Sequence, residues 1–461
     1  AIIPFDNKGD EEDEFYAYSI SSELISDVAS AGLIRVASKK QIEDVIDLPI
    51  DELAEKLLVR YVVTGDLWKE DSVFQLSMEL YDTKTSQILW SESWQKGWNE
   101  LASIKGNLAD NILKTLKVST KQDITRAPTS RTDAYEYYLR GKYQYEKREN
   151  MHDTAIAKGL LNKAIELDDN LIAAKIKIGN IFSDFSDYEK AMKIYTSTLK
   201  QAEKLDDKHG RAQSLNSMGL IHYYKGDFDK ALDYHNRSLE ISKNLNDKRG
   251  VEYSLHNIGL IYEQKGKVNK ALYYYKRSLQ ISEELDDKYS MGQILNSIGD
   301  IYVYNNKYDK ALDFYTRGIT VSKIIGNKLT LARNLRNIGL MYAETEKLDK
   351  AMEYISRSLI ISEQIDDKDG IAANLNYIGI VYTNKFDYNK ATEFYNRSLE
   401  IYEELDDKYN VGINLANIGD IYAETGDLDR ALDYYTRTIK IYEELGDMYE
   451  IGGSLGYCGA I

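Results

Sequence analysis

The chain of 461 residues holds a single cysteine, Cys458. No internal disulfide can form from it, and a cysteine zinc site is excluded. Prolines number only three, which removes collagen-like and proline-rich readings and leaves room for long uninterrupted helices. The five histidines, His152, His209, His222, His235 and His256, are scattered without metal-ligand spacing. No stretch approaches the roughly 18 consecutive apolar residues that cross a bilayer. No signal-peptide pattern opens the chain, so no membrane contact is expected within it. Basic side chains are outnumbered, 59 against 75 acidic ones, and the formal net charge of -16 repels a nucleic-acid backbone. The chain opens on Ala1 without an initiator Met, inside the apolar run Ala1 to Phe5, and reads as a fragment of a longer product. A cytoplasmic location is expected, or a periplasmic one if an anchor or signal lies upstream.

What is present is a period of 40 residues. From Leu171 the chain repeats without insertion as 171–210, 211–250, 251–290, 291–330, 331–370, 371–410 and 411–450. A divergent unit at 131–170 precedes these and an eleven-residue piece, 451–461, follows, giving eight units and a truncated ninth. The ninth place is glycine in Gly179, Gly219, Gly259, Gly299, Gly339, Gly379, Gly419 and Gly459. A glycine inside a helix costs about 1 kcal/mol, so its recurrence points to a neighbouring helix packed close. The twenty-first place is alanine from Ala191 to Ala431, with aromatic residues three or four places on, as in Tyr274 and Tyr275. Small-against-large packing on a second helix follows. Asp227 and Asp427 stand where they cap that helix; Lys267, Lys307 and Lys347 replace them in three units, where weaker caps are expected.

These units resemble tetratricopeptide repeats in the 40-residue form of kinesin light chains and the Leu-Gly-Asn polarity adaptors. Ile298, Gly299, Tyr302, Ala311 and Tyr315 carry the pattern. The unit at 131–170 departs from it, with Leu139 where glycine is expected. The resemblance implies an all-α superhelical solenoid over 131–461, each unit burying its face against the next, with polar caps needed at its ends. Ile451, Leu455 and Ile461 would leave an apolar end uncovered, so further repeats are expected beyond residue 461.

Residues 1–118 lack the period and read as a small α+β domain. Strands are predicted at 1–5, 34–37, 61–68, 73–81 and 88–94, and helices at 14–31, 40–46, 50–58 and 98–117. Phe74, Leu76, Met78 and Leu80 alternate with Val73, Gln75, Ser77 and Glu79, the signature of a sheet with one buried face. All four tryptophans, Trp68, Trp90, Trp94 and Trp98, lie here. The run Ile2-Ile3-Pro4-Phe5-Asp6-Asn7, the segment Ile20 to Ile25, and Arg60 to Gly65 with Leu80-Tyr81-Asp82 resemble the TolB amino-terminal-domain-like module, also akin to FlgO. Residues 119–130, with Pro128, read as a linker. The pairing resembles the regulatory half of bacterial multidomain signalling proteins, whose effector is a cyclase, a kinase or a winged-helix domain.

No catalytic residues, cofactor or metal are expected. Gly452-Gly453-Ser454-Leu455-Gly456 matches a nucleophile-elbow pattern, but Ser454 takes a helical repeat place also held by Ser214 and Ser254. The acidic run Asp10 to Glu14 lacks calcium-loop spacing and reads as a solvated helix start. Asp-Asp-Lys, recurring between units as in Asp286-Asp287-Lys288, reads as helix capping. The recurring arginines, such as Arg237 and Arg437, follow an acid by four places and read as exposed intrahelical pairs.

On the first helix of each unit, places 5, 8 and 12 form the packing stripe, and places 3, 7, 10 and 14 point the opposite way. By the resemblance, that outward face lines a concave groove. It carries Asn257, Asn337 and Asn417 at the seventh place, Arg333 at the third, and Tyr224 and Tyr304 at the fourteenth. Beside them at the sixth place lie Asn216, His256, Asn296, Arg336 and Asn376. Asparagine offers donor and acceptor to a peptide backbone, and tyrosine supplies contact area. The tenth place is apolar at Leu220, Leu260, Leu340 and Ile380 but acidic at Asp300 and Asp420, unlike the polarity adaptors' asparagine. A protein or peptide partner is therefore expected in this groove. The alternatives are the regulatory part of an adenylate or guanylate cyclase or a serine/threonine kinase, and an envelope or flagellar assembly factor.

Overall fold

A computed structural model describes residues 1–30, 48–57, 59–116, 127–148 and 150–445. The chain forms two compact units, residues 1–294 and 295–461. The expected strand at 34–37, the helix at 40–46, residues 119–126 of the linker and the piece at 451–461 lie outside the described residues.

The first unit opens with an antiparallel sheet in the order β1 (Tyr61–Glu70), β2 (Val73–Asp82), β3 (Gln87–Gly97). Phe74, Leu76, Met78 and Leu80 are buried, as the alternation requires. The expected strand at Ala1 to Phe5 runs beside β1 but is reduced to isolated parallel bridges, Ile2 to Val63 and Asp6 to Asp66. Helices α1 (Glu14–Ser30), α2 (Ile50–Leu57) and α3 (Leu101–Thr115) complete the module.

Helix α1 is buried on both sides. Its Tyr16 ring meets Phe74 of the sheet edge-on at 4.9 Å. On its other side Ser19 Oγ donates to the Leu139 carbonyl at 3.2 Å, and Tyr135 donates to Glu23 Oε2 at 2.8 Å. Trp98 Nε1 donates to Glu136 at 3.1 Å. Apolar packing is continuous from Ile2 through Tyr135 and Leu139 to Ile181, so the module and the first repeats share one core. A solenoid end needs its exposed apolar face covered. Here the α/β module covers it.

Helix pairs follow at the expected interval, from Thr132–Lys147 with Met151–Leu167 to Lys408–Glu424 with Leu428–Leu445. The Asp-Asp-Lys turns serve both helices they join. The first aspartate takes the left-handed conformation that ends a helix, as at Asp206, Asp286, Asp366 and Asp406. The second caps the next helix: Asp207 accepts from the Gly210 N–H at 2.9 Å and Asp367 from Gly370 at 3.1 Å. At the other turn, Asp187, Asp387 and Asp427 cap, whereas Lys267, Lys307 and Lys347 give no side-chain bond. Asp227 occupies the cap position but is drawn to Lys230 at 2.6 Å.

The ninth-place glycine is a steric requirement. A Cβ on Gly259 would lie 2.6 Å from the Tyr275 ring, and one on Gly219 2.7 Å from His235. In the divergent unit, Leu139 is core and the close approach moves to Gly141, whose Cβ would lie 2.8 Å from Leu161. Gly259→Ala is expected to cost about 1–3 kcal/mol through overpacking, more than alanine's helix propensity of about 1 kcal/mol returns. A thermal melt tests this, and an unchanged or higher midpoint would refute it.

The abundance of tyrosine has a structural cause. From the unit at 211–250 onward the twelfth-place ring packs on the twenty-fourth-place ring, as Tyr262 on Tyr274 at 5.4 Å, Tyr382 on Phe394 at 5.5 Å and Tyr422 on Tyr434 at 5.5 Å. A cation closes each side, as with Lys390 over Tyr382 at 5.1 Å and Arg397 over Phe394 at 5.4 Å. His222 takes the tyrosine's place against Tyr234 at 5.3 Å. The recurring arginines therefore sit chiefly over aromatic faces; the acid pairs expected for them form at 3.5 Å in Arg237–Asp233 and Arg357–Glu353.

Candidate functional site

The residues on the outward face of the first helices divide by whether the fold already uses their polar atoms. Asn216 is buried, with Oδ1 2.9 Å from His235 Nδ1 and accepting from Ser254 Oγ of the next repeat at 3.2 Å. Burial lowers the His235 pKa to about 4, so the imidazole stays neutral. Asn376 donates to Asn414 of the next repeat at 2.9 Å. Asn296 donates to Asp300 at 2.8 Å and accepts from Asn337 at 3.2 Å. These sixth-place asparagines fasten one repeat to the next or to its own helix.

Asn337 also donates to Asp300 Oδ1 at 2.7 Å, and Tyr315 donates to the same oxygen at 2.6 Å. Burial raises the Asp300 pKa, while the bonds from Tyr315 and Asn337, then Arg333 and Arg336, act against the rise. The tenth-place acids thus have structural partners. Tyr435 reaches Asp420 at 2.6 Å and Tyr195 reaches Asn180 at 2.7 Å in the same way. Where the tenth place is Leu260 or Ile380, the tyrosine turns to the thirteenth place instead, Tyr275 to Glu263 and Tyr395 to Thr383. Where it is Leu340, the partner position is Ile355.

A second group has polar atoms to spare. Asn257 is 6% exposed, yet among the described residues its Nδ2 meets no acceptor at full hydrogen-bond geometry, only the neighbouring Tyr253 hydroxyl, and Asn417 Nδ2 meets none. Arg336 is half-buried with an unpartnered Nε and Arg333 is exposed; both act on Asp300 electrostatically, and among the described residues neither stands in a direct ion pair. Tyr304 is 76% exposed; Tyr224 is exposed and stacked on Tyr188 at 5.9 Å. His256 lies 5.6 Å from the Tyr275 ring, with its pKa lowered to about 4 by burial. In the first unit, α1 touches the helix Lys248–Gln264 that bears His256 and Asn257. The tyrosines at 253 and 377, which sequence reasoning passed over, share this face; Tyr253 is exposed, and burial raises the pKa of Tyr377. Among the described residues, no group of three or more His, Cys, Asp or Glu side chains is placed to hold a metal. No helix among them is long and apolar enough to cross a membrane.

Paired helices at a fixed interval, with small residues at the crossings, define a helical-repeat solenoid of tetratricopeptide type. The chain matches the tetratricopeptide repeat family at residues 170–244, 251–324, 330–404 and 370–444, more than half its length, and belongs to that family. Over 193 residues it is 25% identical to a protein of Rhizobium meliloti (strain 1021) named "Putative adenylate cyclase 3", covering 40% of this chain. The chain spans about a third of that relative's length (33%). Among solved structures, the apo quorum sensor NprR from B. thuringiensis is similar at a TM-score of 0.57 and 16% identity, covering 75% of this chain and 96% of that one. A Rap protein complexed with competence and sporulation factor gives 0.54 at 15% identity over 76% and 96%. A signal transduction ATPase with numerous domains from Pyrococcus horikoshii, carrying a tetratricopeptide repeat sensor, gives 0.54 at 15% over 94% and 66%. At these identities the structural likeness is one of fold.

Proposed function

We propose that this chain is the interaction part of a bacterial signalling protein, and that its first helices bind a peptide or protein segment along their outward face. The observation that carries the reading is the state of Asn257 and Asn417. Both hold the seventh place, and among the described residues both keep a buried amide donor without a full hydrogen bond, Asn257 having only the Tyr253 hydroxyl nearby. Leaving such a donor unmade costs about 1–3 kcal/mol, a cost a bound backbone carbonyl would remove. The exposed Tyr224 and Tyr304 supply contact area beside the same face. NprR and the Rap protein are similar in fold and are, respectively, a quorum sensor and a protein complexed with competence and sporulation factor.

Asn257→Ala and Asn417→Ala are expected to weaken a peptide ligand by about tenfold each, from one lost hydrogen bond of roughly 1.4 kcal/mol. Because the donors are unsatisfied without ligand, the thermal midpoint of the free protein should hold or rise. Fluorescence anisotropy with peptides selected from a random display library measures the first effect, and a melt the second. Unchanged affinity in both variants would sink the assignment.

A second reading rests on the Rhizobium meliloti relative: the chain is the regulatory part of a nucleotide cyclase whose catalytic domain lies elsewhere in the product. In this reading residues 1–118 form the TolB-like, FlgO-like module named from the segments 2–7, 20–25 and 60–65. Cyclase output that is indifferent to Asn257→Ala and to added peptide would exclude it.

A further inference from the structure

In the units from 171 to 450 the first place is apolar at Leu171, Val251, Met291, Leu331, Ile371 and Val411, and charged only at Arg211. On a helix this place lies with the fifth, eighth and twelfth on the packing stripe, away from the outward face. Val251 packs with Ile281 around Leu255, and Val411 packs with Ile441 around Leu415. Leu215 and Ile241 share a core in the same way, but the side chain their first place brings is a guanidinium. A cavity of about 340 Å³ opens there, with Leu215 and Ile241 as its floor and Arg211, Lys208, Glu203 and Glu240 among its walls. Arg211 is half-buried, and its Nε is buried without a partner. Lys208 lacks its counterion because of one substitution. Three other lysines at its place bridge to a glutamate 36 residues on, Lys248 to Glu284 at 2.9 Å, Lys368 to Glu404 at 3.1 Å and Lys408 to Glu444 at 2.8 Å. The corresponding residue here is Asn244. Among the described residues, none of Arg211, Lys208, Glu203 and Glu240 stands in an ion pair.

We infer that this cavity binds a free α-amino acid with a branched aliphatic side chain. The ligand's side chain would lie on Leu215 and Ile241, in the space that Val251 or Val411 fills in its own repeat. Its carboxylate would accept from the Arg211 guanidinium beside the Lys208 ammonium, and its ammonium would donate to Glu203 or Glu240. Two unpaired bases and two unpaired acids around one apolar floor suit a zwitterion. A simple anion would face the two glutamates and a simple cation the two bases, each with repulsion that nothing offsets. Size agrees, since a cavity of about 150 Å³ holds benzene, and this larger one admits a molecule of leucine's size with bridging water. An arginine in place of the usual aliphatic contact weakens the seam between units 171–210 and 211–250, and the bound side chain would restore that contact. The site lies off the outward face and stands apart from the peptide-binding reading.

The test titrates L-leucine, L-isoleucine and L-valine into the full chain by calorimetry and follows the thermal midpoint in parallel. Saturable binding at one site, with a raised midpoint, is expected for all three. L-Alanine lacks the branched side chain, leucinamide the carboxylate and isocaproate the ammonium; each is expected to bind about tenfold more weakly than leucine or worse. Arg211→Val installs the residue that Val251 and Val411 supply in their own repeats. It should abolish leucine binding and raise the midpoint of the free protein, which separates loss of the site from loss of the fold. Alanine binding as tightly as leucine overturns the aliphatic assignment, and equal affinity for leucinamide or isocaproate overturns the zwitterionic one. Neither heat nor a midpoint shift with any of the three amino acids, or unaltered leucine affinity in Arg211→Val, overturns the site itself.

Discussion

Glu252→Ala is expected to stabilise the protein by about 3 kcal/mol at pH 8 and by little at pH 5. Glu252 is 6% exposed at the second place of its repeat, where the neighbouring units carry Ala212, Gly292, Ala332, Ala372 or Gly412. The serine at the twenty-eighth place crosses this seam: Ser238, Ser358 and Ser398 each donate to a second-place alanine carbonyl at 2.8 Å. Ser278 does the same to the Glu252 carbonyl at 3.1 Å, and also donates to the carboxylate at 2.9 Å. Burial raises the Glu252 pKa to about 7, with Asp287 adding to the rise and Ser278, Ser282 and Arg249 opposing it. A carboxyl whose folded pKa exceeds its usual 4.5 favours folding when protonated. Its stabilising contribution is complete below about 4.5, declines as pH rises, and is gone above about 7. Alanine removes the titration and restores the residue other repeats use. In a repeat array the gain stays close to the altered unit, so hydrogen exchange of residues 211–290 at pH 5 and pH 8 is the direct measurement. A difference between variant and parent that is equal at the two pH values would disprove it.

This carboxyl also marks the limit of what periodicity discloses. The 40-residue period located the helix pairs, because each repeated residue has a repeated contact: glycine under the tyrosine ring, alanine at the crossing, aspartate at the cap. The outward face was legible for the same reason, since place in the repeat fixes direction. What the period does not convey is which outward polar groups the fold has already engaged. Asn257, Asn337 and Asn417 are equivalent by place, yet only Asn337 meets an aspartate, because only its preceding repeat carries Asp300 at the tenth place. Reading that difference requires the pair of repeats together. The α/β module was legible in its alternating strand β2 but not in its docking, which runs through Ser19, Glu23 and Trp98 on segments with no shared period.

The docking of that module yields the other large effect. Glu23→Ala is expected to cost about 3–5 kcal/mol and to release the sheet domain from the first repeats. Glu23 is buried, accepts from Tyr135 at 2.8 Å and lies 3.6 Å from Lys142 Nζ, itself 8% exposed. Lys177 is close enough to feel the same carboxylate, although burial lowers its pKa and Glu146 is its nearer partner at 3.8 Å. Truncating one member of a buried ion pair leaves the other charged in a low-dielectric site, the origin of the estimate. Removing both charges should not: Glu23→Leu with Lys142→Met is expected to recover most of the loss. The four tryptophans report the module alone, while circular dichroism at 222 nm is dominated by the repeats. Urea unfolding of the parent should show the tryptophan transition together with that of the first repeats, because they share a core. Glu23→Ala should shift the tryptophan transition to lower urea and leave most of the helical signal in place. Since α1 also touches the helix bearing His256 and Asn257, the same variant should loosen hydrogen-exchange protection at 248–264. Parent-like tryptophan transitions in Glu23→Ala would show that apolar packing alone holds the module.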